Sequence, residues 1–163
     1  MWHLIILAAV LGFTVDSASA FIVADKVLVN KTERKLYLLR DGKTVREFSV
    51  SLGRNPSGHK TRQGDDRTPE GNYFLDWRNP QSKFYKSIHI SYPNRDDRTT
   101  AWNKGFDPGG MIMIHGLPKP FTTSDEWIFR GCDWTDGCIA VTNNEMDMIW
   151  KSVKDGTPIE IIP

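Results

Sequence analysis

Cys138 and His115 are the two side chains of this chain that could together carry out nucleophilic chemistry. A cysteine attacks a carbonyl carbon as its thiolate, and little thiolate exists at neutral pH when the thiol has its ordinary pKa. A nearby imidazole overcomes this by accepting the thiol proton and later protonating the leaving amine. The residue types alone leave two interpretations open: an acyl-transfer site, or a buried structural cysteine and a core histidine.

The neighbours of these two residues have the properties that such a site needs. Gly137, directly before the cysteine, lets a substrate approach the backbone and leaves N–H groups free to point at a developing oxyanion. Residues 111–114 form an apolar run that is too short for a helix, so we predict a buried strand that carries His115 at its end. Both reacting side chains would then lie on rigid elements.

Strand patterns dominate the chain beyond its first twenty residues. Short apolar runs predict strands at 26–30, 35–40, 43–50, 72–77, 84–90 and 158–162, with a hairpin turn at 41–42. One clear helix is predicted after the cysteine, because Thr142 and Glu145 have the spacing of a capping box. Apolar residues recur at helical spacing and form one face of this helix: Met146, Ile149, Trp150 and Val153. The fold class is therefore mainly β with one main helix following Cys138.

Two stretches, 51–71 and 92–110, are predicted to be irregular because they are rich in Gly, Pro, Asn, Asp and Arg. The first would be a long exposed loop whose basic residues lie close in sequence to Asp65 and Asp66. Loops of this length in a compact domain usually carry function or are mobile. A substrate-binding lid and a solvated flap without a partner both stay open for it.

The length, charge and N-terminus of the chain limit its class. Its 163 residues suffice for one compact domain. Lys and Arg total 21 against 20 Asp and Glu, a balance that gives no bulk attraction to nucleic acid. Residues 1–20 have the apolar core and small terminal residues of a cleaved export signal, which leaves 21–163 as the mature domain. The alternative for residues 1–20 is an uncleaved anchor or a buried N-terminal helix. From the export signal we expect a periplasmic or cell-envelope location.

Several other side chains are candidates with more than one interpretation each. Cys132 could be a buried apolar thiol, a partner of Cys138 in a reversible inactivating disulfide, or a zinc ligand, although two Cys and one His lack structural zinc spacing. His89, near Tyr92, could contact substrate or be hydrogen-bonded within the sheet. Arg130 could hold a substrate carboxylate in a bidentate fork, or be an ordinary surface arginine.

Two runs of the sequence resemble the signature of the L,D-transpeptidase catalytic domain (YkuD) family. They are Met113-Ile114-His115-Gly116 and Thr135-Asp136-Gly137-Cys138-Ile139. Thr68-Pro69-Glu70-Gly71 is similar to the Thr-Pro-x-Gly motif that begins a strand of the family, and the opening hairpin is similar to its first strands. The resemblance covers about residues 25–163, nearly the whole mature chain.

The resemblance implies an L,D-transpeptidase-like β-sandwich and a set of residue roles. Cys138 would be the nucleophile and His115 the general base. Four residues would shape the site or the oxyanion hole: Gly116, Thr135, Asp136 and Gly137. Apart from the resemblance, the residue types make His89, Tyr92 and Arg130 the candidate substrate contacts. No metal and no organic cofactor would be needed, and we expect a monomer.

The family's substrates are peptidoglycan stem peptides. By resemblance, the cysteine attacks the carbonyl of the third residue, usually meso-diaminopimelate, and expels the terminal D-alanine. An amine of a second stem, or of a lipoprotein lysine, then resolves the thioester. A hydrolase of the same fold (an L,D-carboxypeptidase or a lipoprotein–peptidoglycan amidase) and a catalytically silent wall-binding domain are the alternatives.

Two positions depart from the family pattern. Many relatives carry His where this chain has Asp136, and Arg or Asn where it has Ala140. A carboxylate beside the thiol should disfavour the thiolate unless it points away or pairs with a cation. The absence of a polar group at Ala140 would remove a substrate contact.

Overall fold

The computed structural model describes residues 23–163. The expected export signal, residues 1–20, lies outside this range. Among the described residues, no helix has the length and apolar character needed to cross a bilayer.

One continuous sheet of eight strands forms the domain. The strands are β1 (Lys26–Asn30), β2 (Lys35–Arg40), β3 (Lys43–Ser49), β4 (Gly71–Asn79), β5 (Ser87–Ile90), β6 (Met113–His115), β7 (Ile139–Ala140) and β8 (Thr157–Ile162). Their order across the sheet is β3-β2-β1-β8-β4-β5-β6-β7. The helices are α1 (Arg95–Asn103), a 3₁₀ helix (Thr123–Ile128) and α2 (Asn143–Ser152). The expected mainly β class is confirmed, with a curled sheet.

Alternation of apolar and polar residues gives the sheet one core face. In β1 the side chains of Val27 and Val29 are fully buried while their neighbours are partly exposed, because successive side chains point to opposite faces. The strands β2 and β8 follow the same pattern. Helix α2 covers this face with Met146 and Ile149, both fully buried. Burial of each such side chain contributes about 1.5–3 kcal/mol of transfer free energy.

The two ends of the sheet meet because it curls. Ser51, just beyond edge strand β3, exchanges backbone hydrogen bonds with Ala140 of edge strand β7, at N–O distances of 2.9 and 2.8 Å. Gly53 and Thr135 form a second bridge next to it. Residues 51–53 therefore hold the segment that leads into Cys138.

Local sequence patterns predicted several elements correctly. Strands β1 and β2 begin and end where predicted, and α2 begins directly after its N-cap residue Thr142, which forms the predicted capping box with Glu145. The prediction of an irregular stretch at 92–110 was wrong for α1, whose capping box joins Asn94 and Asp97. The prediction for residues 111–114 was wrong in part, because Met111 is 63% exposed and β6 begins at Met113.

The long loop between β3 and β4 is exposed along part of its length, as predicted, but is packed against the domain at both ends. Leu52, Gly53 and Thr68 are buried within it. Lys31 on the neighbouring turn is also buried, and its Nζ donates to the Gly58 carbonyl (2.8 Å), the Thr68 carbonyl (3.0 Å) and the Glu70 carboxylate (2.8 Å). These contacts fasten the loop as a fixed wall beside the cysteine turn.

Candidate active site

His115 and Cys138 line the same open cleft, which has a volume of about 610 Å³. Strands β6 and β7 run parallel as neighbours, with His115 opposite Ala140. Cys138 lies directly before β7 and His115 ends β6, so adjacent strands bring both side chains to one place. Further walls come from the long loop (Arg54, Lys60), the cysteine turn (Trp134, Asp136) and the segments before β5 and β6 (Phe84, Met111).

Backbone groups of the strand before His115 contact the half-buried thiol of Cys138. The Met113 N–H donates to Sγ at 3.4 Å, and the thiol donates to the Met111 carbonyl at 3.6 Å. Burial is the main reason that the pKa of Cys138 is raised to about 11; the negative charge of Asp136 acts in the same direction, and the Met113 N–H and Lys60 act against it. The thiol is therefore protonated at neutral pH.

The imidazole of His115 is held in one tautomer. Its Nδ1 lies 2.7 Å from the Gly116 carbonyl, and because a carbonyl only accepts, Nδ1 carries the proton and Nε2 has the free lone pair. The ring centroid lies 4.5 Å from that of Phe84 and 5.6 Å from that of Trp134. Burial lowers the pKa of His115 to about 4, partly opposed by the hydrogen bond to Gly116, so the ring is neutral at physiological pH.

The cysteine turn is fixed by Thr135 and by close backbone packing at Gly137. The Thr135 hydroxyl donates to the Cys138 carbonyl at 2.7 Å and accepts the Gly137 N–H at 3.2 Å. Gly137 has a φ of 129°, and a Cβ there would lie 2.6 Å from the Arg67 carbonyl oxygen. No residue with a side chain fits this position without displacing the loop.

Gly116 is also required by close packing. A Cβ at this position would lie 2.5 Å from the Asn143 Oδ1 and 3.0 Å from the Tyr85 Cβ. The same Asn143 Oδ1 accepts the Leu117 N–H at 2.9 Å. Gly116 therefore lets the chain turn directly after the histidine and still contact the first turn of α2.

Both departures from the family pattern have a structural setting. Asp136 is exposed and its carboxylate pairs with the guanidinium of Arg54, which also donates to the Trp134 carbonyl at 3.3 Å. Arg54 is therefore the cationic partner of Asp136. The negative charge of Asp136 nevertheless raises the pKa of the Cys138 thiol. Ala140 is buried and lines a second pocket instead of the cysteine cleft.

Three expected substrate contacts are not brought to the cleft. Tyr92 is buried and donates its hydroxyl proton to the Pro108 carbonyl at 3.1 Å. His89 lies 2.6 Å from the Asp76 carboxylate and stacks on Trp77. Arg130 lines the second pocket. Phe84 is a cleft residue that no sequence pattern indicated, whereas Arg54 lies in the charged loop for which a substrate-binding lid was one of the two interpretations.

Cys132 is exposed and has a free thiol, so the interpretation of a buried apolar thiol was wrong. Its sulfur lies 3.5 Å from the Phe129 carbonyl, beyond the end of the 3₁₀ helix. Among residues 23–163, no group of three or more His, Cys, Asp or Glu side chains is placed to hold a metal ion.

A curled β sheet with a histidine strand next to a cysteine turn defines the class of domain. The chain belongs to the L,D-transpeptidase catalytic domain (YkuD) family, whose model matches residues 24–161. Proteins of this family act on peptidoglycan.

Three relatives illustrate the similarity. An Escherichia coli (strain K12) protein named "Putative L,D-transpeptidase YafK" is 34% identical over 120 residues, which is 72% of this chain and 38% of YafK. The helical cell shape determining protein Pgp2 from Campylobacter jejuni is 32% identical, with a TM-score of 0.63 over 83% of this chain and 46% of Pgp2. Bdellovibrio bacteriovorus Bd1075 is 25% identical, with a TM-score of 0.58 over 90% of this chain and 50% of Bd1075. This chain thus spans half or less of each relative.

Proposed function

We propose that this protein is a cysteine L,D-transpeptidase that acts on peptidoglycan stem peptides. The observation that carries the proposal is that Cys138 and His115 line one open cleft in a domain that matches the family from residue 24 to residue 161. The roles of the two side chains follow from their chemistry. Sγ is the only strong nucleophile among the lining residues, and Nε2 of His115 has the free lone pair.

The first half-reaction forms a thioester. Nε2 of His115 takes the thiol proton as Sγ attacks the carbonyl carbon of the third stem residue. The backbone N–H of Cys138 stabilises the oxyanion, and the Gly137 N–H joins it once its 3.2 Å hydrogen bond to the Thr135 hydroxyl breaks. The tetrahedral intermediate then expels D-alanine, whose nitrogen receives the proton from the imidazolium. In the second half-reaction an acceptor amine attacks the thioester, its proton passes to His115, and the thiol leaves with that proton.

The electrostatics of the cleft favour proton transfer during attack over a preformed ion pair. Burial raises the pKa of Cys138 to about 11 and lowers that of His115 to about 4, so both groups are neutral at rest. Substrate binding excludes water further, which keeps the neutral pair until the carbonyl carbon is in reach of Sγ. The reaction should therefore depend strongly on the imidazole at neutral pH.

We also propose that the protein acts in the cell envelope as a monomer, with residues 1–20 as its export signal and 21–163 as its mature domain. The family's action on peptidoglycan supports this location. The acceptor would be an amine of a second stem or of a lipoprotein lysine.

Release of D-alanine from a purified tetrapeptide stem tests the assignment. Cys138→Ala should abolish release, while Cys132→Ala should retain it because the Cys132 thiol does not line the cleft. Release of D-alanine by Cys138→Ala at the parental rate would refute the assignment of Cys138 as the nucleophile. No release by the parent, together with no covalent adduct after exposure to a carbapenem, would instead indicate a silent wall-binding domain.

The products formed with and without an amine acceptor test transfer itself. Cross-linked dimers support transpeptidation. If only trimmed tripeptide forms, at the same rate with and without acceptor, the reaction is hydrolysis of the same acyl-enzyme and not transpeptidation.

A further inference from the structure

A second pocket of about 680 Å³ lies on the other side of Trp134 from the cysteine cleft. It is lined by the segment from Glu126 to Trp134, the end of β3, and the first turn of α2. Trp134 is the one residue that lines both spaces, and neither Cys138 nor His115 lines this pocket. The pocket is therefore separate from the site of the proposed reaction.

Glu126 is the unusual group of this pocket. Its side chain is only 13% exposed, and its Oε1 is buried with no hydrogen-bond partner among the described residues. Its other oxygen, Oε2, lies 3.5 Å from Nη2 of Arg130, at the outer limit of a hydrogen bond. The Arg130 side chain is 73% exposed and holds the carboxylate weakly. A buried carboxylate with so few donors is unfavourable unless a cation supplies them.

The other carboxylates that line the pocket are already satisfied. Asp133 accepts from the Arg34 guanidinium at 2.8 Å and from the Leu52 N–H at 2.9 Å. Glu145 accepts from Thr142 in the capping box of α2. Glu33 accepts from the Tyr37 hydroxyl at 2.6 Å. Glu126 is therefore the carboxylate of this pocket that lacks donors, and only two guanidinium groups, those of Arg34 and Arg130, line it.

We propose that this pocket is a binding site for a primary alkylammonium group, with Glu126 as its anionic partner. An ammonium has three donors and fits a carboxylate that has unused acceptors. It would take the place of the Arg130 guanidinium on Oε2 and, with the carboxylate turned toward the pocket, also donate to Oε1, while Arg130 would move into solvent. The apolar side chains of Leu117, Phe129 and Val141 line the same pocket and would pack against the alkyl stem.

The small side chain at Ala140 contributes to this site. Ala140 lines the pocket, so a longer residue at this position would occupy its space. Occupancy would also contact Trp134, whose ring meets the His115 ring edge-on at 5.6 Å. The binding inference itself is independent of the proposed reaction, because it concerns groups outside the cysteine cleft.

Titration of the full chain with Nα-acetyl-lysine amide, followed by ¹H–¹⁵N NMR, tests the site. This probe carries one ammonium, and Nα-acetyl-norleucine amide is the matched probe without it. We expect saturable shifts of amides in 126–134 and 140–145 with the lysine probe, and binding at least about tenfold weaker with the norleucine probe. Equal affinity for both probes, or no saturable shift with the lysine probe, would overturn the proposal.

Two isosteric variants locate the ammonium. Glu126→Gln should weaken binding of the lysine probe by about tenfold or more, and Asp136→Asn should leave it unchanged because Asp136 lines the other cleft. The reverse result would place the cation in the cysteine cleft and overturn the proposal. If Glu126→Gln fails to fold, the alkylation rate of Cys132 in the parent protein tests the site instead. Cys132 lines the pocket, so the bound lysine probe should slow its alkylation. Unchanged alkylation at saturating probe would count against the site.

Discussion

Gly53 and Gly137 lie against each other where the long loop crosses the cysteine turn. A Cβ on Gly53 would lie 3.0 Å from the Cα of Gly137 and 2.1 Å from the carbonyl oxygen of Asp66. The loop and the cysteine turn are thus packed backbone against backbone. The position of Cys138 depends on this contact, because Gly137 directly precedes it.

We expect Gly53→Ala to destabilise the fold and to lower D-alanine release. The new methyl group must displace backbone, and overpacking of this kind costs about 1–3 kcal/mol or more. Gly110→Ala is the matched control, because the nearest contact of a Cβ there is an ordinary 3.7 Å. Urea unfolding of both variants measures the difference. Equal stability of the two variants would show that the loop is not packed as described.

Lys31→Met should loosen the long loop. The Lys31 side chain is 3% exposed and its Nζ pairs with Glu70 at 2.8 Å, so its removal leaves a part-buried carboxylate and two carbonyls without their donor. Loss of one partner of such a pair costs about 3 kcal/mol or more. Lys26→Met, which breaks the exposed pair with Glu160, should cost less than about 1 kcal/mol. Similar unfolding free energies for the two variants would contradict the anchoring role.

Asp136→Asn should make the nucleophile more reactive. The negative charge of Asp136 raises the pKa of Cys138, so its removal lowers that pKa and increases the thiolate fraction at any pH below it. The rate of alkylation by iodoacetamide against pH measures the shift. A Cys132→Ala background is needed because the Cys132 thiol is exposed. An unchanged or higher apparent pKa of Cys138 would contradict the electrostatic role of Asp136.

The buried histidine should make the fold sensitive to acid. Burial lowers the pKa of His115 from an ordinary 6.5 to about 4. Between these values the unfolded chain binds a proton that the folded imidazole does not, so stability falls as the pH decreases through this window. The loss for this one group is on the order of 3 kcal/mol. The free energy of unfolding, measured with urea from pH 7 to pH 4, should fall less steeply with decreasing pH for His115→Gln than for the parent. Identical slopes would contradict a lowered pKa of His115 in the folded protein.

The sequence predicted the elements that carry their own local signal. The alternation in β1 and the capping box of α2 are complete within a few residues, so each could be read without the rest of the fold. Helix α1 has no such apolar stripe, since Ala101 is its only buried residue, and only its Asn94–Asp97 capping box indicated it. The position of the cysteine turn before α2 was equally local, because the N-cap residue Thr142 follows Cys138 closely.

Contacts between residues far apart in the chain determine the features that local sequence patterns did not predict. The loop from residue 51 to residue 70 is polar in composition but is buried at Leu52 and Thr68 by strands and turns far away in the chain. The same reason explains Tyr92, which a local pattern placed near the substrate and the fold places in the core. Ala140 was expected to lack a substrate contact that a polar residue would make there, and in the structure, where β7 pairs with β6, this position lines the second pocket.

Peptide mapping of the trapped acyl-enzyme tests the proposed chemistry most directly. The parent protein is mixed with a tetrapeptide stem without acceptor, quenched in acid, digested, and analysed by mass spectrometry. The proposed mechanism predicts a tripeptidyl adduct on the peptide that carries Cys138, retained in Cys132→Ala and absent in Cys138→Ala. An adduct on Cys132, or D-alanine release by Cys138→Ala, would contradict it.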